Sequence, residues 1–100
     1  MSRAVRVKSV ADAEFAEGAV WYYRRSEKAA EAFITAVEQT FARIGVDPES
    51  FPVVFRTLRG AVVPGFPYTV YFAIRPGECV VLAVHHGKRS PHRWMRRGAG

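Results

Sequence analysis

Apolar positions near the start of the chain follow two different periods. Val5 and Val7 alternate with basic residues, and this period of two predicts a short, half-buried strand. Good helix formers then dominate residues 11–25, where the apolar spacing changes to that of a helix. The apolar face of this first predicted helix consists of Phe15, Ala19 and Tyr22.

A second helix is predicted to follow almost without a linker. Ser26 can accept a hydrogen bond from a free backbone N–H group, as helix N-caps do, and Gly45 is a candidate for the left-handed residue that ends a helix. Between them, apolar residues recur at helical spacing at Ala30, Phe33, Val37, Phe41 and Ile44. Because the first helix runs to about Arg25, we expect the two helices to form an antiparallel hairpin or one strongly bent unit, with an apolar stripe that a sheet must cover.

The second half of the chain has the pattern of a sheet. A loop with two prolines, residues 47–52, precedes the segments 53–58 and 61–63, both rich in β-branched residues. Apolar and polar positions alternate over residues 66–75, and residues 78–86 are apolar on both faces, as in a central strand. Pro-Gly pairs mark the turns between these strands.

The predicted order of elements is β-α-α-β-β-β. This order is typical of an α+β fold in which a helical hairpin packs on one face of a small, mostly antiparallel sheet. The other face would carry Thr69 and Tyr71. We expect a single domain over residues 1–100, with a basic C-terminal segment over residues 87–100.

Composition supports one domain with its own core. Of the 100 residues, 49% are hydrophobic and 24% are charged, so disorder is not expected. The single cysteine, Cys79, excludes an intrachain disulfide framework and a multi-cysteine zinc site. No apolar run approaches the roughly 20 residues that span a bilayer, and the N-terminus lacks the apolar stretch of a signal peptide. We therefore expect a soluble, cytoplasmic protein that has no membrane partner.

Charge is divided unevenly between the two halves. Residues 1–50 hold seven Lys/Arg and eight Asp/Glu, a balance of −1, whereas residues 51–100 hold eight Lys/Arg and only Glu78, a balance of +7. All three histidines also lie near the C-terminus, among these basic residues: His85, His86 and His92. Such an end indicates an anionic partner, either a nucleic acid or an acidic protein segment; the alternative is a solvated basic tail.

The residues that could carry chemistry are concentrated at the same end. Adjacent His85 and His86 would point to opposite faces of a strand, so we expect no metal site and no cofactor. Residues 85–94 combine histidines that can move a proton, arginines that can hold a phosphate and a tryptophan that can stack. These residue types suffice for metal-independent RNA cleavage, and they suit the binding of an acidic protein equally well.

Other polar and aromatic groups are interpreted as structural. The acidic residues of the helices, Glu14 among them, are interpreted as a solvated face rather than as a catalytic carboxylate pair. The aromatic triplet of residues 21–23 is interpreted mainly as core, and Cys79 as a small packing residue.

Several motifs together resemble one family. They are Trp21-Tyr22 at the end of the first helix, Phe66-Pro67-Tyr68 followed by Tyr71, and the segment AVHHGKRSPHRW over residues 83–94. With these motifs the chain resembles, over nearly its whole length, the RelE/ParE superfamily of toxins from type II toxin–antitoxin systems, also known as plasmid stabilisation proteins. The resemblance implies a growth-inhibiting toxin with the same β-α-α-β-β-β fold and a cognate antitoxin.

The superfamily contains toxins that cleave messenger RNA on the ribosome and toxins that poison DNA gyrase. For a nuclease of the RelE type, the resemblance implies His86 as the base and Arg89 on the phosphate, with Arg56 in the basic strand. Thr69 stands where those nucleases place a second arginine, and the tyrosine they have after Arg89 is missing. The overall pattern is nearer to the ParE-like toxins, so a gyrase poison is favoured over a ribosome-dependent endoribonuclease.

For either target, the same surface is expected to bind the target or the antitoxin. Its candidate residues are Arg59, Tyr71, His85, Lys88, Arg93 and Trp94. The antitoxin is expected to wrap this surface with a helix or an added strand, which would give a hetero-oligomer. A third hypothesis is a non-toxic module that only binds its antitoxin.

Overall fold

A computed structural model describes residues 2–88 of the chain. The elements in this range are, in order, β1 (Ala4–Val7), α1 (Ser9–Tyr23), α2 (Glu27–Val46), a 3-10 turn (Pro48–Ser50), β2 (Val53–Phe55), β3 (Leu58–Val62), β4 (Tyr68–Arg75) and β5 (Glu78–His86). Within these residues no helix is long and apolar enough to cross a membrane.

The helical hairpin turns at Ser26 as the sequence predicts, although α1 covers Ser9–Tyr23 rather than residues 11–25. The Ser26 hydroxyl accepts a hydrogen bond from the Ala29 N–H group at 3.2 Å, so Ser26 is the N-cap of α2. Gly45 does not end this helix, and that expectation was wrong: α2 continues to Val46, and Gly45 lacks the positive φ of a left-handed residue. A Cβ atom at Gly45 would lie 2.9 Å from the Arg3 carbonyl oxygen, so the glycine instead permits close packing against the start of β1.

The sheet has five strands within the described range, in the order β1-β5-β4-β3-β2. β1 runs parallel to β5, and the other three pairs are antiparallel. The predicted α+β architecture is confirmed, with one more strand after the helices than predicted. The extra strand arises because the predicted segment 53–58 turns at Arg56, whose φ is +54°, and separates β2 from β3.

The main core lies between the helical hairpin and one face of the sheet. Phe33 of α2 is fully buried at its centre, and aromatic rings surround it: Phe15, Tyr22, Phe66 and Tyr68, at centroid distances of 4.9–5.9 Å. The sheet contributes the fully buried side chains Ala61, Val63, Val70, Phe72, Cys79 and Val81.

The opposite face of the sheet is apolar at its centre. A second buried cluster there consists of Leu58, Ala73, Val80, Leu82 and Ala83, with Phe55 and Tyr71 packed against it. The predicted polar residue Thr69 lies on this face, but toward one end, because its neighbour across the strands is His85. At its centre this face is therefore apolar and buried rather than polar.

Candidate functional site

A β-bulge in β5 determines where the two histidines point. Tyr71 pairs with Ala83 and Phe72 pairs with Val81, so β5 holds one extra residue, Leu82, between these two pairs. Leu82 and Ala83 consequently lie in the same cluster on the outer face of the sheet, and Val84 returns to the helical side. The extra residue reverses the alternation, so His85 lies on the outer face and His86 on the helical side.

Glu14 of α1 contacts β5 just beyond this bulge. Its carboxylate oxygen accepts a hydrogen bond from the Val84 N–H group at 3.1 Å. Glu14 is only partly exposed, so the interpretation of this residue as part of a solvated face was wrong. A backbone donor of β5 is thus satisfied by a helix side chain.

His86 packs at the end of the helical core. Its ring lies edge-on to Tyr68 with a centroid distance of 5.1 Å. Its Nδ1 atom accepts a hydrogen bond from the Lys88 N–H group at 3.1 Å. A neutral imidazole with an acceptor at Nδ1 carries its proton on Nε2, so the basic lone pair of His86 is already used by the backbone. This arrangement does not suit a general base unless the hydrogen bond from Lys88 breaks.

His85 occupies the other face of the sheet. It is opposite Thr69 in β4, its ring centroid is 6.0 Å from that of Tyr71, and only 8% of its surface is exposed. Tyr71 is accommodated by Gly60 in β3, where a Cβ atom would lie 3.3 Å from the tyrosine ring. Among residues 2–88, no group of three histidine, cysteine, aspartate or glutamate side chains is placed to hold a metal ion.

The two arginines predicted for the site lie away from His86. Arg59 in β3 pairs with Phe72 of β4, and His86 pairs with Tyr68 of β4. Phe72 and Tyr68 are four residues apart, so Arg59 and His86 are separated by about 13 Å along the strand direction. Its guanidinium donates to the carbonyl oxygens of Phe51 at 2.7 Å and Glu49 at 3.2 Å, so it holds the loop before β2.

Arg56 is further still from His86, beyond the start of β3. It is exposed at the β2–β3 turn, and its guanidinium lies 5.3 Å from the ring centroid of Phe55. The structure therefore does not bring Arg56 together with His86. Lys88 is exposed two residues after the end of β5, whereas Arg89, Arg93 and Trp94 lie outside the described residues.

Sequence reasoning missed an exposed surface at the turn between the helices. Of the aromatic triplet, Tyr22 packs against the core, but Trp21 is 49% exposed and Tyr23 is 62% exposed. The guanidinium of Arg25 lies 3.5 Å from the centroid of the Trp21 ring. The signal in the sequence was the run of Arg24, Arg25 and, three residues later, Lys28, directly after the aromatic triplet. We call residues 21–28 the hairpin turn.

A shallow groove also runs between the two helices on their outer side. Its volume is about 250 Å³, and its floor is apolar: Phe15, Ala16, Ala19 and Ile34. Asp12 and Glu38 line its edges. An amphipathic helix with basic residues beside its apolar stripe would complement such a groove.

Comparisons with known proteins identify the family. The model of the family described as "ParE toxin of type II toxin-antitoxin system, parDE" matches residues 5–91. Among solved structures, a chain of the "Chromosomal ParDE TA system from P. aeruginosa" is similar with a TM-score of 0.74 and 18% sequence identity. The match covers 85% of this chain and 96% of that chain, and it supports the same fold. No curated protein matches the sequence. The chain therefore belongs to the ParE toxin family of type II toxin–antitoxin systems.

Proposed function

We propose that this protein is a growth-inhibiting toxin that poisons DNA gyrase. The observation that carries the proposal is the match to the ParE toxin family over residues 5–91, which spans all the strands and helices but the first residue of β1. Gyrase is the target that the superfamily resemblance associates with ParE-like members.

The geometry around His86 supports this target over messenger RNA. Metal-independent RNA cleavage needs a base and cations around one phosphate. In this structure the His86 Nδ1 atom accepts a hydrogen bond from the Lys88 N–H group, and Arg56 lies at the β2–β3 turn, away from His86. Both features favour a protein that acts by binding. The principal alternative is an endoribonuclease, because Arg89, the residue that the resemblance places on the phosphate, follows Lys88 directly in the sequence.

We expect a cognate antitoxin to neutralise the toxin by covering its surface. The groove between α1 and α2 offers an apolar floor with acidic edges, and the residues after β5 offer positive charge. An antitoxin segment that complements both would contain a helix with basic edges and an acidic stretch. Such a complex should weaken as the salt concentration rises.

A double substitution separates the proposed activities. His86→Ala with Arg89→Ala removes the candidate base and the candidate phosphate ligand of a nuclease. We expect the double variant to retain growth inhibition and to leave messenger RNA intact in a reconstituted translation reaction. Codon-registered RNA ends that appear with the natural chain and vanish with the variant would overturn the proposal in favour of the nuclease.

Arg56→Gly provides a matched test on the other candidate. Glycine adopts the positive φ of residue 56 without strain, so the turn should be retained while the cation is removed. We expect growth inhibition to be unchanged. A folded chain that arrests growth in neither natural nor variant form, yet binds its antitoxin, would instead support a non-toxic antitoxin-binding module.

A further inference from the structure

The hairpin turn carries a compact set of cations on one end of the molecule. Arg24, Arg25 and Lys28 are all exposed, and Glu27 is the one acidic residue among residues 20–30. The rest of the helical layer has the opposite sign: residues 9–19 hold Asp12, Glu14 and Glu17 with no basic residue, and residues 31–46 hold two acidic residues against Arg43. The layer is therefore polarised along its length, with its positive end at the hairpin turn.

One cation of this positive end, Arg25, is held in place by the helix. The Arg25 guanidinium stacks on Trp21 and donates from Nη1 to the Trp21 carbonyl oxygen at 2.9 Å. Trp21 packs edge-on against Tyr22 at 4.9 Å, and Tyr22 is anchored against Phe33 and Phe66 at 5.0 and 5.2 Å. A guanidinium fixed in this way loses little conformational freedom when it binds a phosphate.

The basic end of β5 lies at the same end of the molecule. Phe66, which contacts Tyr22, belongs to the β3–β4 connection, and the next residue, Pro67, accepts a hydrogen bond from the Gly87 N–H group at 2.8 Å. Lys88 follows Gly87 and is exposed. Four cations from two distant parts of the sequence, at positions 24, 25, 28 and 88, are thus presented by neighbouring elements.

We propose that the hairpin turn binds the phosphate backbone of duplex DNA. A duplex carries about one negative charge per 1.7 Å of its axis, so it matches closely spaced cations better than the sparser carboxylates of an acidic protein segment do. One face of Trp21 is covered by Arg25, which favours phosphate contacts over stacking on bases. The choice of duplex DNA over RNA rests on the proposed function, since gyrase acts on duplex DNA.

The test compares two variants that remove the same charge. One is Arg24→Ala/Arg25→Ala/Lys28→Ala, and the control is Lys8→Ala/Arg43→Ala/Arg75→Ala, whose residues are exposed at the other ends of their elements. The affinity of each full-length chain for a labelled 20-base-pair duplex would be measured by fluorescence anisotropy at about 50–300 mM salt.

A plot of log affinity against log salt has a negative slope. We expect this slope to be less steep by about 2 to 3 for the hairpin variant, since each lost phosphate contact reduces its steepness by about 0.9. The control should lower it by less than about 1. Equal losses in the two variants would show non-specific attraction and overturn the proposal. The loss of Arg25 also removes its packing on Trp21. The double variant Arg24→Ala/Lys28→Ala keeps that contact, and its slope should be less steep than that of the natural chain by about 2.

Two further arms distinguish the partner. If the hairpin substitutions weaken binding to a single-stranded RNA more than binding to the duplex, the choice of DNA is overturned. If they weaken only binding to the antitoxin, the hairpin turn is a protein-binding surface and the proposal is overturned. The measurement contains no gyrase. If the hairpin variant loses DNA affinity as predicted but the natural chain has no effect on gyrase, only the proposed function is contradicted. If the natural chain inhibits gyrase but the hairpin variant binds DNA no differently from the control, only this inference is contradicted.

Discussion

The absence of a side chain at residue 18 lets α1 approach the aromatic core closely. A Cβ atom at Gly18 would lie 2.8 and 2.9 Å from two carbon atoms of the Phe33 ring and 3.1 Å from the Tyr68 hydroxyl. On an exposed helix, Gly→Ala is stabilising by roughly 0.5–1 kcal/mol. At Gly18 the same substitution should instead be destabilising, because the added methyl group would overlap the Phe33 ring.

We predict that Gly18→Ala lowers the free energy of unfolding by about 1–3 kcal/mol, the usual cost of overpacking a core. Urea unfolding would measure it. Phe33→Leu makes room for the new methyl group, so the double variant should be more stable than the sum of the two single effects. Additive effects, or a stabilised Gly18→Ala chain, would contradict the packing described here.

Glu14 provides a second test at the scale of one residue, because it accepts a hydrogen bond from the Val84 N–H group of β5. Glu14→Ala should lower the free energy of unfolding by about 1–3 kcal/mol, since the Val84 N–H group then lacks this acceptor. Glu14→Gln retains an acceptor oxygen and should lose much less. Hydrogen exchange at the Val84 amide should be faster in the alanine variant than in the glutamine variant; equal exchange rates would argue against this contact.

At the scale of elements, the parallel pair of β1 and β5 carries an ion pair at its outer surface. The Arg6 guanidinium contacts both carboxylate oxygens of Glu78, at 3.1 and 3.2 Å. The hydrogen bond from Arg6 lowers the pKa of Glu78 below its ordinary value of 4.5. A lowered folded-state pKa stabilises the fold above the unfolded pKa, and this stabilisation is lost as the pH falls through the folded pKa.

We therefore predict that the natural chain is more stable than Glu78→Gln near neutral pH and that the difference shrinks once the pH falls below about 4.5. Thermal unfolding of both chains between about pH 3 and 7 would show it. Because the pair is exposed, the effect should be small and should decrease in high salt. A stability difference that is the same at every pH would contradict the contribution of the ion pair.

The elements were predictable from the sequence where local patterns determine them. Ser26 as an N-cap and the apolar spacing of α2 predicted that helix correctly, and the Pro-Gly pairs marked the turns after β3 and β4. The division at Arg56 was missed because a non-glycine residue with positive φ has no strong local signature. The β5 bulge was missed because all its residues are apolar, so the alternation gives no sign of Leu82.

The site was less predictable than the fold because its geometry depends on long-range contacts. The partner of Glu14 is 70 residues away in the sequence, and the carbonyl partners of Arg59 lie in a loop of irregular structure. No local pattern shows that Arg56 and His86 are separated. The roles predicted for Arg89, Arg93 and Trp94 stay predictions, since these residues lie outside the described range.

At the scale of the whole molecule, charge and shape divide the protein into surfaces of different character. The outer side of the helices offers an apolar groove with acidic edges, and the end formed by the hairpin turn and Lys88 is basic. Under the proposed function, the groove serves only the antitoxin, whereas the basic residues after β5 are available to both the antitoxin and the target. Substitutions in the groove should therefore weaken the antitoxin complex more than they weaken action on the target.

We propose that the protein arrests growth by poisoning DNA gyrase. The most direct measurement is the supercoiling of relaxed plasmid DNA by purified gyrase with increasing amounts of the antitoxin-free chain, with the His86→Ala/Arg89→Ala variant alongside. The proposed function predicts that both chains inhibit supercoiling and that added antitoxin restores it. Undisturbed supercoiling by gyrase in the presence of a folded chain that still arrests growth would contradict it.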